Sequence, residues 1–171
     1  MDTQKLEAGA SLKIGKPVED VFEAIVDPEK MSRYFISKST GRMESGKTLT
    51  WKFPEFDMTF PVEIIRAEKG HPISFQWGSM DGSNTVVEIQ LEPRGDKETF
   101  VSVKEGSKEN NEAGLTWMRG NTEGWANFLA CLKAYLEYGI NLRKGAFDPS
   151  RMEAAKEEKW AMSDQWWVGK Q

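Results

Sequence analysis

The residues with which this chain could do chemistry are few: one histidine, one cysteine, and three carboxylates in strand-like segments. His71 sits in Lys69-Gly70-His71-Pro72, a turn-forming tetrapeptide between two apolar runs. A metal site would need further ligands around it, and a general base would need to face a pocket; neither is indicated, so His71 reads as an exposed turn residue. Cys131 lies inside a long helical pattern and reads as a small apolar side chain. A single cysteine excludes an intrachain disulfide, a two-cysteine redox motif and a cysteine-rich zinc site. There is no Gly-rich phosphate loop, GxSxG elbow, HExxH helix or Ser-His-Asp set. Carboxylate or tyrosine chemistry stays open. Glu63, Glu88 and Glu105 read as residues of a solvated sheet face, and Tyr34 is the phenol that a cyclase or hydrolase would use.

These side chains must be positioned by the periodic segments around them. Leu115, Met118, Thr122, Trp125, Leu129, Leu132 and Leu136 follow at steps of three and four, which predicts one long helix with an apolar stripe. Asn111 is its preferred N-cap, Gly120 and Gly124 allow a kink or break near Gly120-Asn121, and the helix is expected to end at Gly139 or by Arg143. Near the start, Ala10, Leu12 and Ile14 alternate with polar residues as a strand. Pro17 then opens a helix carrying Val18, Val21, Phe22 and Ile25, and Asp27 caps a second short helix beginning at Pro28.

Six more strands are predicted. The first, from Lys38 to Met43, is weakly patterned, whereas Leu49, Trp51 and Phe53 alternate cleanly. Phe60, Val62 and Ile64 follow, with Ile65 breaking the alternation as a bulge would. Ile73, Phe75 and Trp77 make the next strand, then Val87, Ile89 and Leu91, then Val101 and Val103. Short connections make the set an antiparallel meander, so the expected fold is α+β, a curved sheet of about seven strands with a helix across it.

With 171 residues and 39% hydrophobic content, the chain suffices for one core. A net charge of -4 without clustered Lys and Arg argues against a nucleic-acid partner. No apolar run approaches a membrane span, and the first residues lack a signal-peptide pattern, so a soluble cytoplasmic protein is the expectation.

The stretch KPVEDVFEAIVDPEKMSRYF, with Pro17, Val18, Val21, Phe22, Ile25, Asp27, Pro28, Met31 and Tyr34, resembles the opening of the START-like (SRPBCC) superfamily. EGWANFLACLKAYLEYG, with Gly124-Trp125 before Leu-rich turns, is similar to the closing helix of one branch, homologous to the C-terminal domain of heat-shock chaperone ATPase activators. The resemblance covers about residues 9 to 142. It implies a helix-grip fold around a hydrophobic cavity in a superfamily of lipid carriers, receptors, cyclases and cochaperone modules.

The aromatic residues carry the expectation of a site. Tyr34, Phe35, Trp51, Phe53, Phe60, Phe75, Trp77, Trp117, Trp125 and Phe128, with Leu129, are candidates for the inward surface of sheet and helix, where they either pack a dry core or line a ligand cavity. The function expected is non-catalytic binding of a small apolar or lipid-like ligand, with no cofactor or metal. A protein-interaction module is the alternative, and a cyclase or hydrolase the third reading. Residues 1-147 are expected to form the domain. Residues 148-171 are expected to form a helical extension, with a helix from about Pro149 to Met162 that docks on the domain or makes a homodimer.

Overall fold

The computed structural model describes residues 4–78, 83–148 and 150. The expected extension helix and the boundary proposed for it lie almost wholly outside the described residues. Seven strands, β1 (Leu6–Ile14), β2 (Lys38–Ser39), β3 (Thr48–Lys52), β4 (Thr59–Arg66), β5 (Ile73–Gly78), β6 (Asn84–Arg94) and β7 (Glu98–Lys108), form one antiparallel sheet in the order β1-β7-β6-β5-β4-β3-β2. Helices α1 (Val18–Val26) and α2 (Pro28–Met31) follow β1, and α3 (Glu112–Tyr138) closes the fold. This is the α+β helix-grip arrangement expected from the sequence.

Alternation explains which way each strand faces. Ile73, Phe75 and Trp77 on β5 are buried, as are Thr85, Val87 and Ile89 on β6 and Val101, Val103 and Glu105 on β7; the residues between them are more exposed. Ile65 sits where the β4–β5 register shifts and is exposed, which is the bulge its sequence predicted. The weakly patterned segment from Lys38 pairs for only two residues.

The junction between α1 and α2 shows local chemistry completing a helix end. Asp27 caps α2, its carboxylate accepting from the Glu29 backbone N–H. Pro28 has no N–H to give to the Ala24 carbonyl four residues earlier, so that carbonyl is left over by α1. The hydroxyl of Tyr34 donates to it at 2.8 Å from a fully buried ring. The neighbouring Val26 carbonyl accepts from the Met43 N–H.

Helix α3 begins at Asn111, whose side chain accepts from the Gly114 N–H. A Cβ at Gly114 would lie 1.9 Å from the Glu109 carbonyl oxygen, so glycine is required for this entry. The helix runs unbroken through Gly120 and Gly124 and ends at Gly139 in the left-handed region, φ 66. It lies closest to β1 and stands away from β3 to β5. The resulting wedge between helix and sheet is filled by aromatic side chains.

The buried face of α3 differs from the stripe expected. Leu115 is 41% exposed and Thr122 is exposed, while Gly114, Trp117, Asn121, Gly124, Trp125, Phe128, Leu129 and Leu132 are buried. A rotation of about 100° separates adjacent helical residues, so displacement of the stripe by one position brings Asn121 inward in place of Thr122. The bulk of Trp117 fixes that choice in the first half of the helix. From Trp125 onward the expected and observed faces coincide.

Candidate functional site

The wedge contains a connected set of rings. Trp77 and Trp125 stack with centroids 5.6 Å apart, joining sheet to helix. Trp51 meets Phe75 at 5.3 Å and Trp77 at 6.3 Å, and Phe35 meets Trp51, Phe53, Trp125 and Phe128. Phe60 packs on Phe53 and Trp77 but is only half-buried, so the ring set runs from the interior to the surface. Tyr34 lies against Phe128 and Tyr135. Trp117 and Leu129 are buried on the same side of α3. All eleven aromatic and aliphatic candidates therefore belong to one apolar interior, with Phe60 at its margin.

Within that apolar interior stands a carboxylate. Glu105 is 1% exposed, which corrects its expected place on a solvated face; Glu63 and Glu88 are exposed as expected. Its Oε2 accepts from the Trp77 indole N–H at 2.8 Å and the Thr85 hydroxyl at 2.5 Å. Its Oε1 accepts from the Trp125 indole N–H and the Asn121 amide, both at 2.8 Å. Four donors thus meet the four lone-pair positions of one carboxylate, replacing the water it loses on burial. The arrangement ties β5, β6, β7 and α3 together and occupies every acceptor position that a general base would need. Asn121 itself keeps one buried atom, Oδ1, with no hydrogen-bond partner.

One end of the wedge carries a second polar arrangement. Beyond α3 the chain turns back and places Arg143, 5% exposed, in an ion pair with Glu55 at 2.6 Å. The guanidinium lies over Phe35, Phe53 and Phe147, with centroid distances of 5.7, 5.2 and 4.7 Å. A surface depression of about 300 Å³ lies here, bordered by Tyr34, Phe35, Pro54, Glu55, Arg143 and Phe147. A second depression, of about 350 Å³, lies between α1 and the β4–β5 turn, with Phe22, Leu91 and exposed His71 at its border.

The remaining nucleophile candidates are held in their protonated forms. Burial pushes the Tyr34 phenol well above its ordinary value, with the neighbouring Tyr135 adding to the effect. Burial likewise raises the Cys131 thiol. Among the described residues no group of three His, Cys, Asp or Glu could hold a metal ion, and no helix is long and apolar enough to cross a membrane.

Glu105, Thr85, Asn121, Glu55 and Arg143 were not among the residues singled out as a site. Glu105 alone had a visible signal, since it continues the inward alternation of Val101 and Val103.

Residues 16–137 match the family model described as activator of Hsp90 ATPase homolog 1-like protein, and the chain belongs to that family. Among solved structures, protein SSP2350 of Staphylococcus saprophyticus is 34% identical, with 79% of this chain and 94% of that one aligned at a TM-score of 0.69. The Aha1 dimer of Colwellia psychrerythraea is 19% identical over 78% of this chain and 98% of that one, with a TM-score of 0.65. CalU16 of Micromonospora echinospora is 19% identical over 94% and 97%, with a TM-score of 0.60; these last two likenesses concern the fold. A comparison with curated proteins finds no match to this chain.

Proposed function

We propose that this protein is a non-catalytic binding domain whose wedge between sheet and α3 accepts a small apolar ligand. The observation that carries the reading is the continuous set of rings from buried Trp125 through Trp77 to half-buried Phe60, an apolar path from solvent to interior. Tyr34, Phe35, Trp51, Phe53, Phe75, Trp117, Phe128 and Leu129 would form the rest of the wall. The interior polar groups support binding over catalysis: Glu105 has its acceptor positions filled, and Tyr34 uses its proton on the Ala24 carbonyl. A lone buried cysteine is compatible with a cytoplasmic setting.

A direct test inserts bulk into the wedge. Leu129→Trp should be tolerated and should abolish binding of an apolar fluorescent probe that wild type takes up. In a fully packed core the same insertion should cost about 1–3 kcal/mol by overpacking. Marked destabilisation, together with no probe uptake by wild type, would remove the ligand-binding reading.

A protein-interaction module is the second reading, favoured by Tyr138, Ile140 and Leu142, which follow the end of α3 and are 68%, 53% and 50% exposed. A second copy of this chain is one partner that such a surface could meet.

A further inference from the structure

The interior of the wedge has one unanswered polar atom. Asn121 is 3% exposed, and its Oδ1 is buried without a partner. The orientation of its amide is fixed by chemistry: Nδ2 lies 2.8 Å from Glu105 Oε1, and a reversed amide would set oxygen against carboxylate oxygen. Glu105 therefore dictates that Oδ1 is the atom left facing elsewhere. A buried acceptor without a donor is unfavourable enough that native interiors rarely keep one, so this atom points to a donor from outside the chain.

Its surroundings define what that donor would be attached to. Trp117 and Trp125 stand one turn to either side of Asn121 on the same face of α3, and Trp125 stacks with Trp77 across the wedge. Such walls favour a flat ring.

We propose that the wedge binds a flat aromatic molecule bearing one hydroxyl or N–H group, and that Asn121 Oδ1 accepts the hydrogen bond that recognises it. This rests on the ligand-binding reading above and adds the chemical class of ligand. Glu105 acts as a positioning residue, holding the acceptor through the amide it grips.

The test uses three probes of similar shape: 2-naphthol, which donates, and naphthalene and 2-methoxynaphthalene, which do not and which bracket it in size. Calorimetric titration of the full chain should show 2-naphthol binding about tenfold more tightly than either of the others, and Asn121→Ala should reduce that preference to about twofold or less. In wild type, the Asn121 side-chain amide resonances should shift with 2-naphthol and stay in place with 2-methoxynaphthalene, which decides the matter even if the variant does not fold. Equal binding of all three probes, or a preference that survives Asn121→Ala, would overturn the inference while leaving the ligand-binding reading intact. An interior water satisfying Oδ1 would give that equal binding. If no probe binds wild type, the ligand-binding reading falls and the inference with it.

Discussion

Replacing Glu105 by glutamine tests whether the buried carboxylate holds sheet and helix together, and the geometry makes the outcome specific. Each carboxylate oxygen receives one indole N–H, from Trp77 on Oε2 and from Trp125 on Oε1. The Thr85 hydroxyl can rotate to accept and the Asn121 amide can reverse, but an indole nitrogen only donates. Whichever way the glutamine amide is placed, one indole N–H meets an NH2 group and is left buried without an acceptor. That orphaned donor costs about 1–3 kcal/mol. Neutralising the side chain recovers little, because the four donors already stand in for the lost water. Glu105→Leu removes both acceptors, orphans both indoles and should cost about 2–6 kcal/mol on the same scale. Urea unfolding followed by tryptophan emission would measure both values, with an unchanged denaturant slope showing that the folded and unfolded states keep their compactness. A glutamine variant within about 0.5 kcal/mol of wild type, or a leucine variant more stable than the glutamine one, would refute the argument that these donors depend on this carboxylate.

Two further outcomes are expected. Glu55→Ala leaves the Arg143 guanidinium buried without its ion pair and should cost about 3–5 kcal/mol in thermal or urea unfolding, whereas a loss below about 1 kcal/mol would mean that the aromatic rings alone suffice to hold it. Tyr34 makes stability depend on alkaline pH: its folded pKa is raised by burial, so the unfolded chain loses the proton first, and stability present below about pH 10 should fall as pH rises above it. Tyr34→Phe should flatten that fall while lowering neutral-pH stability by about 1 kcal/mol, because the Ala24 carbonyl loses its donor; an unchanged alkaline slope would contradict it.

The elements were legible because each has a period. Alternation in β3, β5 and β6, the cap at Asn111 and the left-handed stop at Gly139 are local consequences of residue type, and they appear where the sequence places them. The polar interior was less legible. Glu105 stands in phase with Val101 and Val103, but the general exposure of carboxylates outweighed the phase, since its four donors come from three distant elements. Thr122 and Asn121 are adjacent and both polar, so leucine spacing on α3 could not show which faced inward. Arg143 and Glu55 lie in irregular segments 88 residues apart, and no period links them.

The pairing of β1 with β7 has a consequence for how the protein is made. During synthesis β1 emerges early, yet its strand partner, through Ile14↔Thr99 out to Leu6↔Lys108, is among the last strands of the sheet to follow. α3, which packs most closely on β1, comes later still. The growing chain therefore carries an unpaired strand edge through most of its translation, the kind of edge that invites pairing with another molecule. β1 itself limits that hazard: Glu7, Ser11 and Lys13 alternate along it, keeping one side of the waiting strand polar until β7 arrives.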